Sequence, residues 1–187
     1  MNVPLRSDPA APADPTSIDA DGRAVAPAQL RPMSLADLDT VLSIEQQAYS
    51  FPWSRGNFVD SLAAGYLAEV LLGEGRAGEG PPILGYHIAL PGVDELHLLN
   101  LTVDPSCQGR GHARRLLDAL ERHAAHRGLA SIWLEVRVSN QRARRVYARR
   151  GFAEVGLRKA YYPAPHGSRE DAVVMSLVVS GGLRAMD

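Results

Sequence analysis

Apolar residues recur every three or four positions in the first well-patterned segment, "LADLDTVLSIEQQAY" (residues 35–49). This spacing predicts an amphipathic helix whose apolar face is formed by Leu35, Leu38, Val41, Leu42 and Ile44. Ser34 precedes the segment as a candidate N-cap, and Asp37 follows three residues later, as in a capping box. Pro52 in "FPWS" ends this helix, and Ser54 is expected to cap a second, shorter helix over residues 57–64.

The middle of the chain is typical of strands followed by one long helix. "YLAEVLL" (66–72) and "ILGYHIAL" (83–90) are apolar runs joined by the loop "GEGRAGEGPP", which predicts a hairpin. "ELHLLNLTV" (95–103) is a third strand. A helix is predicted over residues 110–127, ending at Gly128, because arginines occupy one face and the other is formed by Ala113, Leu116, Leu117, Leu120 and Ala124.

The last third alternates strands and a helix. "ASIWLEVRV" (130–138) predicts a strand, and "NQRARRVYARR" (140–150) predicts a helix that Gly151 stops. "FAEVGLRKAY" (152–161) and "DAVVMSLVV" (171–179) predict an antiparallel pair of strands. The order strand–helix–strand–helix–strand implies a mixed, partly parallel α/β sheet with helices on both faces.

Length and composition fit one globular domain. The chain has 187 residues, of which 45% are apolar and 22% are charged, and its formal net charge is -1. Residues 1–28 are rich in Pro, Ala and Asp and have few large apolar side chains, so we expect a disordered tail there. The domain is expected over residues 29–180, followed by a short tail at 181–187.

Composition also excludes several classes of protein. Cys107 is the single cysteine, so the chain has no intrachain disulfide and no thiolate zinc site. No apolar run approaches the ~20 residues of a membrane span, and the N-terminus lacks the pattern of a secretory signal. The sequence therefore predicts a cytoplasmic protein that needs neither a metal nor a membrane.

The stretch "VDPSCQGRGHARRLLDAL" (103–120) leads from the third strand into the long helix through two glycines among arginines. It is not a Walker loop, because no Gly-Lys-Ser/Thr follows, and it lacks the third glycine of the dinucleotide fingerprint. Glycines let a backbone approach a ligand closely, and a helix start presents free N–H groups to an anion. These residues alone leave two interpretations open: a phosphate-binding loop, and an ordinary turn with solvated arginines.

Two motifs resemble the GNAT superfamily of N-acetyltransferases. Gln-x-x-Gly-x-Ala, from Gln108 to Ala113, is similar to the loop that holds the diphosphate of acetyl-coenzyme A in that family. The second signature, N-x-x-A-x-x-x-Y-x-x-x-G-F, is matched by Asn140, Ala143, Tyr147, Gly151 and Phe152. The resemblance covers about residues 30–179 and implies the GNAT fold, a mixed, mostly antiparallel central sheet with a splayed parallel pair of strands and helices on both faces.

Further segments resemble one branch of that family, the bacterial ribosomal-protein alanine N-acetyltransferases. These segments are "FPWS", "LNLTVDP", "WLEVR" with the following "SN", and "YYP" with the following "EDAVVM". The resemblance implies acetylation of the N-terminal alanine of a small-subunit ribosomal protein, with acetyl-coenzyme A as cosubstrate and no direct nucleic acid required. The segment from Pro163 to Glu170 is one residue longer than the family pattern, at a place expected to lie near the acceptor.

The resemblance also assigns coenzyme contacts. It places the pantetheine chain along the edge of the third strand, where a local splay or bulge would free backbone N–H groups. The implied contacts are the backbone of Leu101, Thr102 and Val103, the loop residues Gln108, Gly109, Arg110, Gly111, His112, Ala113 and Arg114, and the side chain of Asn140. Asn140 is also placed to cap the helix that follows it, and the two roles are compatible.

Glu135 is the candidate general base. In "SIWLEVRV", Glu135 and Arg137 share one face of the strand, and a carboxylate in a central strand is costly unless it is paired or hydrated. Glu135 therefore either lies in a cleft or pairs with Arg137. The resemblance implies the general-base role for the Glu of "LEV", acting directly or through water, and we expect burial to raise its pKa.

Tyr147 is the candidate general acid. With Ala143 and Val146 it forms an apolar helical stripe, which by itself favours a core tyrosine. The resemblance implies in addition that its hydroxyl protonates the departing coenzyme A thiolate. Together with Glu135 this predicts direct attack by the amine in a ternary complex.

Other residues raise alternatives. Cys107 is a rival nucleophile through an acyl-thiol intermediate. His123 and His126 have the spacing of a metal pair, but without a third ligand they predict a solvated helix face. The aromatic residues Phe51, Trp53, Tyr161 and Tyr162 either line the acceptor cleft or belong to the core.

Two rival functions also follow from the residues. The arginine-rich "NQRARRVYARRGF" is compatible with an RNA-facing helix in a ribosome-binding module. Within the same fold, the acceptor is alternatively another protein N-terminus, a lysine side chain or a small amine.

Overall fold

The computed structural model describes residues 28–75, 78 and 80–179, and the backbone of residues 17–18 and 24–25. The tails predicted at 1–28 and 181–187 therefore lie almost entirely outside the described residues. Two short strands, β1 (Ser17–Ile18) and β2 (Ala24–Val25), pair with each other in antiparallel orientation.

The first elements of the main body are one strand and two helices. The strand β3 (Gln29–Pro32) was not indicated by the sequence pattern. A 3-10 turn at Leu35–Asp37 leads into α1 (Leu38–Ala48), and α2 (Arg55–Ala63) follows, so both predicted helices are present. The expected caps form as well, because Asp37 accepts from the backbone N–H of Ser34 at 2.8 Å and Ser54 accepts from that of Asn57 at 3.4 Å.

The remaining elements follow in the predicted order. They are β4 (Leu67–Leu72), β5 (Ile83–Pro91), β6 (Glu95–Val103), α3 (His112–His126), β7 (Ser131–Arg137), α4 (Gln141–Arg150), β8 (Ala153–Pro163) and β9 (Arg169–Val178). The helix α3 begins at His112 rather than at Arg110, because Gly111 has a left-handed φ of 83°. Short loops connect α3 to β7 and β7 to α4, which keeps these elements adjacent.

One seven-stranded sheet forms the centre of the molecule, in the order β3-β4-β5-β6-β7-β9-β8. Neighbouring strands are antiparallel except β6 and β7, so the prediction of a mixed, mostly antiparallel sheet with one parallel pair is confirmed. The parallel pairing joins Glu95–Leu98 to Ser131–Leu134 and does not extend further. The carboxyl-terminal halves of β6 and β7 are therefore splayed.

Helices cover both faces of the sheet. The helices α1 and α2 pack over a cluster that includes Leu38, Phe58 and Tyr86, each with no exposed surface. The helices α3 and α4 pack over the other face, where Leu120 and Ile132 are equally buried. Burial of one such side chain contributes about 1.5–3 kcal/mol, so these two clusters hold the strands in place around the splay.

The substitution Gly85→Ala is expected to disturb the pairing of β5 with β6. A Cβ atom at position 85 would lie 2.6 Å from the carbonyl oxygen of Thr102 and 3.1 Å from the Cα of Val103. These are backbone atoms, so relief requires the end of β6 to shift, and we expect a loss of about 1–3 kcal/mol in the free energy of unfolding. Urea denaturation measures it, with Gly80→Ala as the control because a Cβ there would meet no atom within 4 Å. Equal stability of the two variants would contradict the close approach.

Candidate active site

A loop with two glycines connects β6 to α3. Asp104 starts it by accepting from the backbone N–H and the hydroxyl of Ser106, at 2.8 and 2.7 Å. Gly109 and Gly111 then have φ values of 85° and 83°, in the left-handed region that only glycine adopts without strain. The chain therefore reverses tightly enough for α3 to begin immediately at His112.

The start of α3 has no side-chain cap, because its N-cap residue is Gly111. The first N–H groups of a helix have no partner within it, so here they are available to an anion, and the helix dipole adds partial positive charge. Burial lowers the pKa of His112, and the nearby Arg115 and Arg110 lower it further. The ring of His112 is therefore neutral at pH 7, while Arg114 supplies a full positive charge to this end of the helix.

Gln108 connects the loop to two other elements. Its side-chain amide donates to the carbonyl oxygen of Val103 at 3.1 Å and accepts from Nη1 of Arg142 at 2.7 Å. The side chain thus joins the end of β6, the loop and α4. Its predicted contact with the coenzyme stays a prediction.

A cleft of about 900 Å³ opens between the splayed end of β6, the loop, the start of α3 and the inner face of α4. Its lining includes every residue predicted to hold the coenzyme except Arg110, namely Leu101, Thr102, Val103, Gln108, Gly109, Gly111, His112, Ala113, Arg114 and Asn140. Tyr147 also lines the cleft, whereas Glu135 is not among the lining residues. The structure therefore brings together the predicted coenzyme residues and the predicted acid.

The strand β6 carries a bulge beside this cleft. Ile88 pairs with Asn100 and Ala89 pairs with Leu98, so Leu99 has no partner on β5. Farther along the strand, the carbonyl oxygen of Leu101 accepts from the hydroxyl of Tyr49 at 3.2 Å. Both irregularities considered for this strand, the splay and the bulge, are therefore present.

Asn140 occupies the N-cap of α4. Its side-chain oxygen accepts from the backbone N–H of Ala143 at 3.0 Å, and the residue lines the cleft at the same time. The capping role is confirmed. Because the capped residue borders the cleft, the geometry is compatible with the additional coenzyme contact.

Tyr147 is both a core residue and a cleft residue. Its ring packs against Phe152 with centroids 5.6 Å apart, and only 9% of the residue is exposed. Burial raises the pKa of Tyr147, and the neighbouring Tyr49 and Tyr162 raise it further. The phenol is therefore protonated throughout the neutral range, which is the state that a general acid requires.

Glu135 has partners that the sequence analysis did not identify. Its Oε2 lies 2.6 Å from Nε2 of His97, its Oε1 lies 3.0 Å from Nη2 of Arg158, and its side chain is 6% exposed. The proposed pair with Arg137 does not form, because Arg137 instead contacts Glu170 at 3.0 Å.

The expectation of a raised pKa for Glu135 was wrong. Burial does act to raise it, but the hydrogen bond and charge of His97 and the charge of Arg158 outweigh burial, so the pKa lies below its usual value. Glu135 is consequently an ionised carboxylate held between two nitrogen donors.

Two aromatic residues pack around Arg137, which is two residues from Glu135 on the same strand. The guanidinium of Arg137 lies 4.5 Å from the ring centroid of Tyr162 and 5.7 Å from that of Phe51. The hydroxyl of Tyr162 donates to the carbonyl oxygen of Glu135 at 2.9 Å. These contacts join the loop after α1 to the hairpin of β8 and β9, whereas Trp53 packs on Phe58 in the core cluster of α1 and α2.

A buried polar network at Glu45 was missed by the sequence analysis. Glu45 is 1% exposed and accepts from the backbone N–H of Trp53 at 2.9 Å, from the hydroxyl of Tyr86, and from Asn100 at 3.3 Å. Thr102 donates to it at 3.4 Å. One signal was available, because Glu45 follows Val41 by four residues and so lies on the buried face of α1. The network ties the loop after α1 to the strand that borders the cleft.

The arginines of α4 have identifiable partners or face the cleft. Arg150 contacts Asp118 of α3 at 2.7 Å, and Arg144 contacts Glu154 at 2.7 Å. Arg142 and Arg145 line the cleft. Two of these arginines therefore form ion pairs that join α4 to α3 and β8. The two that line the cleft make the electrostatic potential inside it more positive.

The alternatives raised for cysteine and histidine gain no support from the geometry. Cys107 is a part-exposed free thiol with the Oγ of Ser106 at 3.5 Å. Within the described residues, no group of three or more His, Cys, Asp or Glu side chains is placed to hold a metal ion. Over the same part of the chain, no helix has the length and apolar character required to cross a membrane.

Comparison with known proteins agrees with this geometry. Residues 38–152 match the Acetyltransferase (GNAT) family. The ribosomal protein bS18-alanine N-acetyltransferase of Haemophilus ducreyi is 40% identical over 141 residues, which cover 75% of this chain and 93% of that protein. The protein of the same name from Escherichia coli is 38% identical over 79% of this chain and 95% of its own length.

Solved structures are similar over the same region. The crystal structure of the Escherichia coli alanine N-acetyltransferase superposes with a TM-score of 0.73 at 35% identity, covering 85% of this chain and 97% of that one. Arabidopsis thaliana NAA60 in complex with acetyl-CoA has a TM-score of 0.69 at 18% identity, over 81% of this chain and 99% of that one. The second likeness concerns the fold alone.

Proposed function

Because the chain belongs to the acetyltransferase (GNAT) family, we propose that it transfers the acetyl group of acetyl-coenzyme A to the N-terminal alanine of ribosomal protein bS18. The observation that carries the chemistry is the cleft at the splay of β6 and β7, with the uncapped start of α3 at one end. The acceptor is supported by the relatives, which match this chain over 93–95% of their own length. A ribosomal acceptor in turn favours the cytoplasm as the place of action, without a direct contact to nucleic acid or membrane.

Acetyl-coenzyme A is held along the cleft in this proposal. The backbone of Leu101–Val103 binds the pantetheine chain as an added strand would, and the amides after Gly109 bind the diphosphate. Arg114 adds charge at the diphosphate end, because it lines the cleft there. The thioester then lies beside the bulge of β6, where backbone N–H groups are directed at its oxygen.

The acceptor approaches Glu135 from the side on which Phe51 and Tyr162 pack around Arg137. Glu135 is the carboxylate that drives removal of the proton from the α-amine. The amine nitrogen then attacks the thioester carbon, the carbon–sulfur bond breaks, and Tyr147 gives its proton to the leaving thiolate. The acceptor ammonium gives up one proton before the attack and its nitrogen gives up a second as the carbon–sulfur bond breaks, and both leave to solvent. Solvent returns one proton to Tyr147, so the transfer releases one net proton and needs no acyl-enzyme intermediate.

The substitution Gly111→Ala is expected to weaken binding of acetyl-coenzyme A about tenfold, because a side chain at φ 83° strains the loop that presents the amides of α3. Gly128→Ala is the matched control, since Gly128 has φ 68° with no atom within 4 Å of an added Cβ and lies at the opposite end of α3. Both variants should lose similar stability, while only Gly111→Ala loses affinity in calorimetry. Equal affinities of the two variants for acetyl-coenzyme A would show that the loop does not bind the coenzyme.

A panel of peptides tests the proposed acceptor. Mass spectrometry after incubation with acetyl-coenzyme A compares peptides that begin with Ala, Ser or Met and a peptide with a blocked N-terminus and one internal lysine. We expect the Ala peptide to gain one acetyl group at its α-amine and the lysine peptide to gain none. Acetylation of the lysine peptide alone would contradict the proposed N-terminal acetylation and would indicate an enzyme that acetylates lysine side chains.

A further inference from the structure

The pair formed by His97 and Glu135 spans the two strands that splay. His97 belongs to β6 and Glu135 to β7, and Nε2 of the ring lies 2.6 Å from Oε2 of the carboxylate. The parallel register aligns His97 with Trp133, two residues before Glu135. The contact therefore spans the last parallel pair, Leu98 with Leu134, where the strands begin to diverge.

The carboxylate determines which nitrogen of the ring carries hydrogen. An ionised carboxylate only accepts, so Nε2 of His97 is the N–H donor, and in the neutral ring Nδ1 is left with a free lone pair. The other carboxylate oxygen is occupied by Arg158 at 3.0 Å. The side chain of His97 is 28% exposed, against 6% for Glu135, so the ring is the more accessible member of the pair.

The two groups also differ as proton acceptors. The pKa of Glu135 is lowered, because its contacts with His97 and Arg158 outweigh burial. Both oxygens of the Glu135 carboxylate are occupied, by His97 and by Arg158, whereas Nδ1 of the neutral ring keeps a lone pair that can accept a proton.

We propose that His97 is the group that takes the proton from the acceptor amine, at Nδ1, and that Glu135 holds the ring in the tautomer that allows it. This inference rests on the proposed function and specifies its deprotonation step. The N–H bond of the ammonium breaks, the proton joins Nδ1, and the imidazolium keeps its Nε2–H···Oε2 hydrogen bond to the Glu135 carboxylate. The ring then gives the proton to solvent through its exposed edge. Among the described residues, the charged groups in contact with the ring and its carboxylate are Glu135 of β7, which contacts the ring, and Arg158 of β8, which contacts the carboxylate.

The variant His97→Gln separates proton uptake from hydrogen bonding. A glutamine amide can still donate to Glu135, but it does not accept a proton. We expect kcat to fall about 10²- to 10⁴-fold with little change in KM, and the decrease of kcat at acid pH that we predict for the wild type to disappear. Arg158→Gln is the matched control, because it removes the other partner of Glu135 and leaves the imidazole, so its acid limb should persist. Wild-type kcat and pH profile in His97→Gln would overturn the proposal.

A second measurement does not depend on the acceptor. Nitrogen NMR of the histidine ring reports its tautomer and titration in the full chain, with Glu135→Gln as the comparison. We expect the neutral Nε2–H form in the wild type and a changed titration in Glu135→Gln. An Nδ1–H ring, or identical titrations, would overturn the proposal even if no peptide were acetylated. Failure of the peptide panel alone would instead contradict the proposed function.

Discussion

Glu135→Gln should lower kcat about 10²- to 10⁴-fold while leaving the affinity for acetyl-coenzyme A unchanged. Glutamine keeps the size and one acceptor oxygen of the side chain but loses the negative charge that stabilises a proton taken from the amine. Glu135 does not line the coenzyme cleft, so coenzyme binding has no reason to change. Steady-state kinetics with an Ala peptide and calorimetry with acetyl-coenzyme A measure the two quantities.

Glu69→Gln is the control for this substitution. Glu69 also contacts a histidine of the same sheet, His87, with Oε2 and Nε2 3.2 Å apart, and lies outside the candidate site. We expect Glu69→Gln to retain near-normal kcat, whatever its effect on stability. Near-normal turnover in Glu135→Gln would remove Glu135 from the mechanism, and an equal loss in both variants would attribute the effect to the sheet rather than to the site.

Tyr147→Phe should lower kcat about 10²-fold, with an unchanged dissociation constant for acetyl-coenzyme A. The ring remains in its packing against Phe152, so the variant loses only the hydroxyl proton that the leaving thiolate needs. Because the pKa of Tyr147 is raised, the wild-type phenol keeps its proton through neutral pH, and activity that depends on it is lost only at strongly basic pH. The rate of free thiol release measures the effect between pH 6 and pH 9.

Tyr66→Phe serves as the matched removal of a hydroxyl from a part-buried tyrosine elsewhere in the core. It should change neither kcat nor thiol release. If Tyr147→Phe had the same kcat and rate of thiol release as Tyr66→Phe, the hydroxyl of Tyr147 would have no part in protonating the thiolate. The tyrosine would then be a packing residue only.

The pattern of apolar residues predicted most elements because each has a strong local signal. The helix α3 is an example, since Leu116, Leu117 and Leu120 recur on one face and are all buried. Its first residue was misplaced because the left-handed backbone of Gly111, which ends the loop, is set by the turn and not by apolar spacing. The strand β3 was missed for a related reason, because four residues are too few to establish an alternation.

In the candidate site too, contacts between residues close in sequence were predictable, and contacts between distant residues were not. The loop after β6 and the cap at Asn140 are local in sequence, so motifs placed them on the cleft correctly. The partners of Glu135 are distant: His97 lies 38 residues before it and reaches it only through the parallel register of β6 and β7. Spacing on one strand face offered Arg137 as one of two alternatives for Glu135, but the guanidinium of Arg137 contacts Glu170 and the Tyr162 ring instead.

The network around Glu45 has a consequence for how the two substrates influence each other. One carboxylate accepts from Trp53, in the loop after α1, and from Thr102, on the strand that borders the coenzyme cleft. A ligand that shifts either segment changes the same set of hydrogen bonds. Thermodynamic linkage makes this effect reciprocal. If bound coenzyme raises the affinity for the peptide by some factor, bound peptide raises the affinity for the coenzyme by the same factor.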